Sequence, residues 1–341
     1  METTHPSCSK TQRQSSKTLF HAKEIRDFAI LEELKLLFSI TSTIGRIEVI
    51  DLRTFRHVKK ITSTNTEEAP SRIANRIEIH ASSGSVCCLQ CQGLMQATIY
   101  VWNFKKNIMM ILPFEYISSA ICLTLFHNYL FTGGSSSRVR IWELPSCELV
   151  DQISFNPNSI SFTQLKASET RNILYCLEQV SNKVWIVDLT TKKLLLTVGL
   201  PGTFSFLEVL ATGNIVTVSN QGNCIKFWET GQIGTGKLEM KVDFFAKIDA
   251  YGNFLIAEED GKACVWIEKC VKGVKVCERH SAEPIENVAI RWTTKNFYSL
   301  PIRWMKKDRI VVVHTGKNIR VVRLQFPSIE KKERDSLQDE T

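Results

Sequence analysis

Short apolar runs recur along the chain, each closing on a large apolar residue followed in most cases by a polar or acidic one. They are Ile47-Glu48-Val49-Ile50-Asp51, Ile99-Tyr100-Val101-Trp102-Asn103, Val139-Arg140-Ile141-Trp142-Glu143, Val184-Trp185-Ile186-Val187-Asp188, Ile225-Lys226-Phe227-Trp228-Glu229, Cys264-Val265-Trp266 and Ile319-Arg320-Val321-Val322. The closing positions 50, 102, 142, 187, 228, 266 and 322 lie 52, 40, 45, 41, 38 and 56 residues apart. About ten residues ahead of each lies a second apolar run bounded by turn residues, such as that from Ser85 to Gln92 or from Asn172 to Leu177. A third precedes it in several periods, as from Ile25 to Leu31 and from Ala120 to Phe126, and a more polar fourth follows, as from His57 to Ile61 and from Lys193 to Val198. Runs of this length bounded by turns predict strands, and four per period predict one four-stranded unit that buries its faces only against copies of itself.

On these residues the sequence resembles the WD-repeat family of β-propellers, over about residues 18 to 326. The resemblance implies an all-β fold, a single seven-bladed propeller. Trp stands at 102, 142, 228 and 266, with Ile50, Val187 and Val322 in the matching positions elsewhere. The family's Gly-His pair has no clear counterpart, and its turn Asp is matched well only by Asp260-Gly261, so the polar link through His, Ser and Trp is mostly absent and apolar packing is expected to replace it. The last period lacks a fourth run: after Leu324 the chain becomes a charged stretch from Glu330 to Asp335. Thr18-Leu19-Phe20-His21-Ala22 is an orphan apolar run ahead of the first unit, expected to complete the seventh blade and close the ring. The organisation expected is a disordered tail over 1–17, the propeller over 18–326 and a charged, disordered tail over 327–341.

Composition narrows the class. No uninterrupted apolar stretch of about 20 residues exists, and the first residues are polar, which points to a soluble protein of the cytoplasm, the nucleus or both, without a membrane partner. Eleven cysteines fall largely inside apolar runs, where they read as small buried hydrophobes with free thiols.

The candidates for chemistry are thin. Cys88 and Cys91 have the spacing of half a zinc site, but strand alternation sends their side chains to opposite faces. Cys270, Cys277 and His280 lack a fourth ligand at good spacing. Gly231-Gln232-Ile233-Gly234-Thr235-Gly236 lacks the Lys-Ser/Thr that follows in a phosphate-binding loop and reads as a connection between strands. No nucleophile elbow and no His-Glu-x-x-His occurs, so the reading is of a protein without catalysis, metal or cofactor.

What remains is a binding role. Basic residues exceed acidic ones by 43 to 35, and they cluster at Arg53, Arg56, His57, Lys59 and Lys60, at Lys105 and Lys106, at Lys192 and Lys193, and from Arg303 to Arg309. Three of these clusters follow a closing position at equal offset, which predicts basic turns joining the inner and rim strands of neighbouring blades. The two longest periods place surplus residues at 62–76 and 281–300, the second carrying Arg291, Trp292, Lys295, Phe297 and Tyr298, a mixture of aromatic and basic side chains suited to anchoring a partner. Asp51-Leu52-Arg53 resembles the signature with which some WD-repeat proteins dock on a ubiquitin-ligase adaptor, with Ile50 in place of Trp. The expected function is a scaffold or docking subunit for one or more proteins in a larger complex. The alternatives are a subunit of a nucleic-acid-acting complex, such as an RNA-modifying one, gripping a phosphate backbone with those basic turns, or a substrate receptor of a ubiquitin ligase.

Overall fold

The computed structural model describes residues 17–20, 25–41, 46–62, 75–92, 96–112, 120–155, 160–168, 171–178, 181–200, 204–209, 215–219, 224–228, 238–241, 249–251, 254–259, 262–271, 274–284, 302–305, 310–315 and 318–323. Every element among them is a strand. Following β1 (Lys17–Phe20), the first two units are β2 (Ile25–Leu31), β3 (Leu36–Thr41), β4 (Arg46–Asp51), β5 (Arg56–Thr62), then β6 (Asn75–His80), β7 (Ser85–Gln92), β8 (Gln96–Asn103), β9 (Ile108–Ile111). The third and fourth are β10 (Ala120–Phe126), β11 (Tyr129–Gly134), β12 (Arg138–Glu143), β13 (Leu149–Ser154), then β14 (Phe162–Ser168), β15 (Ile173–Glu178), β16 (Lys183–Asp188), β17 (Lys193–Gly199). The rest are β18 (Phe204–Val209), β19 (Ile215–Ser219), β20 (Cys224–Trp228), β21 (Leu238–Lys241), β22 (Asp249–Tyr251), β23 (Phe254–Glu259), β24 (Lys262–Val271), β25 (Val274–Pro284), β26 (Ile302–Met305), β27 (Ile310–Thr315) and β28 (Asn318–Arg323).

These strands form seven four-stranded antiparallel sheets among the described residues, six of them from consecutive strands. The seventh has the order β1-β28-β27-β26, with Lys17 opposite Val321 and Phe20 opposite Asn318. The orphan N-terminal run therefore supplies the outer strand that the last period lacks. The innermost strands of successive sheets meet in chain order, and β26 also meets β2.

Each sheet is thin, so its apolar faces become a core only where two sheets meet. One cluster joins Phe38, Ile40 and Val49 of the first sheet to Ile77, Cys88 and Trp102 of the second. Another joins Cys87, Leu89 and Val101 of the second to Leu123, Leu130 and Trp142 of the third. Between the third and fourth, Phe155 stands edge-on to Phe162 at 4.8 Å and to Trp185 at 5.6 Å. The closing positions Ile50, Trp102, Trp142 and Val187 are all buried, which explains why Ile and Val can replace Trp there: the position requires volume more than an indole. One polar link supports this packing, since the Trp142 Nε1–H donates to Thr132 Oγ1 at 3.0 Å across β12 and β11.

Two kinds of bulge recur that the apolar pattern does not reveal. In the innermost strands the register slips between Ile25 and Asp27, Ala120 and Cys122, Phe162 and Gln164, and Phe204 and Phe206. In three of these the residue just after the slip reaches the next sheet's innermost chain segment. Asp27 Oδ2 accepts from the Ile77 N–H at 3.2 Å, and the Cys122 thiol lies 3.4 Å from the Phe162 carbonyl. Gln164 makes both bonds at once, its Nε2 donating to the Leu207 carbonyl at 2.7 Å and its Oε1 accepting from the Leu207 N–H at 2.8 Å. A bulge bends its strand and re-aims a side chain, and here it turns a polar group into a hook for the following sheet.

The second kind lies in the outermost strands, where Val58, Val150, Leu195 and His280 are the extra residues opposite the closing position of their sheets. Three of them are large apolar side chains held out in solvent, at 60%, 47% and 55% exposure for Val58, Val150 and Leu195. The surplus length expected at 281–300 is partly taken up here, because β25 runs to Pro284 and pairs with the ten residues of β24.

The cysteines Cys87, Cys88, Cys122 and Cys176 are buried free thiols, as their apolar surroundings predict, and Cys147 is half-buried. Burial pushes the thiols of Cys87, Cys88 and Cys176 well up, and that of Cys147 up to about 11. Iodoacetamide labelling of the native protein followed by mass spectrometry should leave Cys87, Cys88, Cys122 and Cys176 unmodified. Cys147 should react slowly at neutral pH and faster, about tenfold per pH unit, as the pH approaches its raised pKa, because only the thiolate attacks.

Candidate docking surface

In the first four sheets the turns between the third and fourth strands share one construction. In the first, second and fourth sheets the side chain of the last residue of the third strand bonds the turn's amides: Asp51 Oδ1 accepts from the Arg53 N–H at 2.7 Å, Asn103 Oδ1 from Lys106 at 2.9 Å, and Asp188 Oδ1 from Thr191 at 2.7 Å. The turn ends on a residue in the left-handed region, Phe55, Asn107 and Lys192, with Cys147 in the third sheet. The N–H after the third strand then reaches the preceding hairpin: Leu52 to the Lys35 carbonyl, Phe104 to Gly84, Leu144 to Asn128 and Leu189 to Asn172. This frame fixes Arg53, Lys105, Lys106 and Lys192 on the same kind of turn at the same edge of their sheets.

The sequence expectation placed basic turns between the inner and rim strands of neighbouring blades. The structure corrects this: each turn joins two strands of one sheet, and His57, Lys59 and Lys60 lie in β5 and Lys193 in β17, as the polar fourth run predicts, with Arg56 opening β5, so the basic residues of the first sheet form an outer edge as well as a turn. Arg56, Lys59 and Lys60 are exposed. Lys59 is held against the second sheet, its Nζ donating to Asn107 Oδ1 at 2.5 Å and standing 5.5 Å from the centre of the Trp102 ring. That contact joins β5 to the turn carrying Lys105 and Lys106. Together they make one basic corner.

The acidic groups near this corner are already engaged. Glu48, buried beneath β5, pairs with Arg46 and lies 3.8 Å from His57. Asp51 takes a forked pair from Arg53, Nη2 to Oδ2 at 2.9 Å and Nε to Oδ1 at 3.2 Å. Those bonds hold the Asp51 carboxyl below the usual carboxylate range and the Arg53 guanidinium above its own. Arg53 is thus folded back onto Asp51, whereas Arg56 and Lys60, which stand opposite Asp51 and Glu48 in the ladder, form no ion pair with them among the described residues.

Beyond the corner the rim turns apolar. Ile108 and Ile111 on β9, Leu149 and Val150 on β13, and Leu194, Leu195 and Leu196 on β17 are exposed. Lys192 pairs with Asp151, tying the outer edges of the third and fourth sheets together beside this stretch, and the pair lowers the Asp151 pKa. No sequence signal distinguished these residues from ordinary strand apolars; only the outermost position of their strands exposes them. The other expected anchors, Arg291, Trp292, Lys295, Phe297 and Tyr298, lie outside the described residues, as do 1–16 and 324–341. Among the described side chains, no group of His, Cys, Asp or Glu is arranged to hold a metal ion.

No family model and no curated protein matches the chain. Solved structures do match. The structure of U3-55K superposes with a TM-score of 0.69 at 11% identity, covering 91% of this chain and 98% of its own. The crystal structure of the RRP9 WD40 repeats gives a TM-score of 0.69 at 11% identity, covering 91% of this chain and 97% of its own. At that identity the likeness is one of fold. The chain has the fold of a WD40-repeat β-propeller, and its repeats are divergent in sequence.

Proposed function

We propose that this protein is a non-catalytic docking subunit that holds an acidic partner protein within a larger assembly. The observation that carries the reading is the basic corner: Arg56, Lys59, Lys60, Lys105 and Lys106 are exposed on two adjoining sheets, while the nearby carboxylates of Glu48 and Asp51 are already engaged by the chain's own arginines. An acidic surface brought against that corner meets a cluster of exposed positive charge, which steers association and fixes orientation. Rigid sheets fix the positions of these groups, so little ordering is needed on binding. The aromatic and basic residues of the 281–300 segment, Arg291, Trp292, Lys295, Phe297 and Tyr298, are assigned to the same role as anchors of the partner.

The triple variant Arg56→Glu, Lys60→Glu, Lys106→Glu tests this. Affinity for fluorescein-labelled poly-glutamate, read by anisotropy, is expected to fall about tenfold or more, with the melting temperature little changed because all three side chains are exposed. Unchanged affinity removes the corner from the docking role. A single-stranded RNA carrying the same number of charges is the second arm: tighter binding to RNA than to poly-glutamate, lost steeply as salt rises, would replace the protein partner by a nucleic acid.

A further inference from the structure

The outer strands of four sheets carry a bulge opposite the closing position, and those of the second, fifth and seventh pair in unbroken register. β9 runs in unbroken register with β8, Asn103 opposite Ile108, Trp102 opposite Met109, Val101 opposite Met110 and Tyr100 opposite Ile111. A bulge spoils an exposed edge as a template for another strand, and a flat apolar edge without one invites pairing. β9 is apolar throughout, Ile108-Met109-Met110-Ile111, with its two isoleucines about half exposed.

The direction of its main chain follows from one bond beyond the strand. The Leu112 N–H donates to the Ile99 carbonyl at 3.0 Å, so by antiparallel alternation Met110 and Ile108 also face β8. Met109 and Ile111 are left with their N–H and C=O turned outward, two donors and two acceptors at strand spacing. At the start of β9 stand Lys105 and Lys106, with Lys59 reaching Asn107 from the first sheet; Lys105 Nζ donates to the Ser82 carbonyl at 2.9 Å, and Lys106 faces no carboxylate among the described residues.

We infer that β9 is a strand-addition site, whose occupant is an extended segment of a partner protein with apolar residues at alternate positions and acidic residues at the end lying against Lys105 and Lys106. The ladder to Met109 and Ile111 supplies hydrogen bonds that do not depend on sequence, Ile108 and Ile111 supply apolar contact, and the lysines select the charge and direction of the incoming strand. A second copy of this chain is disfavoured as the occupant because the net charge of +8 and the same basic corner would be brought together. This inference rests on the docking reading and specifies the form of the partner.

The probe is a fluorescein-labelled peptide of alternating valine and threonine ending in a run of glutamates. Its binding to the full-length protein is read by anisotropy. Ile111→Pro removes an outward N–H without breaking a bond of the sheet, and should weaken the peptide about tenfold or more with the melting temperature nearly unchanged. Lys105→Glu with Lys106→Glu should weaken it to a similar extent. A second test leaves the protein untouched: the same peptide N-methylated at every other amide, on the edge that would face β9, should lose binding, and methylation of the opposite edge should not. Equal affinity for both methylated forms and for Ile111→Pro overturns the inference. So does the absence of peptide binding up to about 1 mM. Self-association that disappears in Ile111→Pro, measured by sedimentation, assigns the edge to a second copy and overturns it too. If the Arg56, Lys60 and Lys106 variant loses poly-glutamate while Ile111→Pro keeps the strand peptide, the strand site fails and the docking reading stands.

Discussion

Gln164→Ala should destabilise the protein by about 3 kcal/mol, the largest loss expected from any single polar side chain described above. Gln164 is buried, and it satisfies both main-chain groups of Leu207, which is itself fully buried in the next sheet. Truncation removes two hydrogen bonds and leaves a donor and an acceptor of the backbone without partners in a site closed to water. The cost of leaving them unmet exceeds the net worth of the bonds themselves. Neighbouring Lys166 and Glu208 pair at 2.6 Å across the same two sheets, but both retain some exposure and cannot stand in for the amide. Urea unfolding of the two proteins gives the difference directly. A loss under about 1 kcal/mol would show that the hook is solvated or that the two sheets do not depend on it. Gln164→Glu serves as the discriminating variant: it keeps the acceptor, loses the donor to the Leu207 carbonyl and buries a charge, so it should be at least as damaging as alanine.

Removal of residues 1–23 is the second large effect expected, and removal of 1–16 is its control. The longer truncation takes away β1 and with it the whole ladder from Lys17 to Phe20 along β28, leaving a three-stranded sheet whose outer edge is bare. A loss of roughly 3 kcal/mol is expected, a fall in melting temperature on the order of 5 °C or more, with aggregation through the uncovered strand. The shorter truncation leaves every residue of β1 in place and should melt with the full chain. Equal melting temperatures for the two truncations would mean that the N-terminal strand is dispensable to the array.

What the sequence made legible is what repeats. Period and alternation located all four strands in most of the units, and the burial of Ile50 and Val187 beside Trp102 and Trp142 shows that apolar volume at the closing position carries that signal. The pairing of the N-terminal strand with β28 was also legible, because a missing run at one end and an orphan at the other have only one economical arrangement. The hooks were not. Asp27, Cys122 and Gln164 are unrelated residue types, and what unites them is a slip of register that adds no mark to the sequence. The exposed rim was hidden for a different reason: Val58, Val150 and Leu195 are apolar like core residues in a linear reading, and only the outermost place of their strands puts them in water. The basic residues were found, and those from His57 to Lys60 fell in the polar fourth run, but Arg56 was not placed with them, since a turn and the strand after it have no boundary in a run such as Arg53-Thr54-Phe55-Arg56.

The pairing of β1 with β28 also sets a clock for biosynthesis. Lys17 is made about 300 residues ahead of its partner Val321, so at roughly 5–20 residues per second the strand waits on the order of 15–60 s for its place in a sheet. Throughout that interval the nascent chain carries an unmatched strand at its front while the intermediate sheets assemble behind it. That sheet can be completed only after Asn318 to Val321 have been made. A chain stalled or cleaved before Asn318 therefore leaves both the front strand and the final hairpin unmatched, a state that quality-control machinery can read as unfinished.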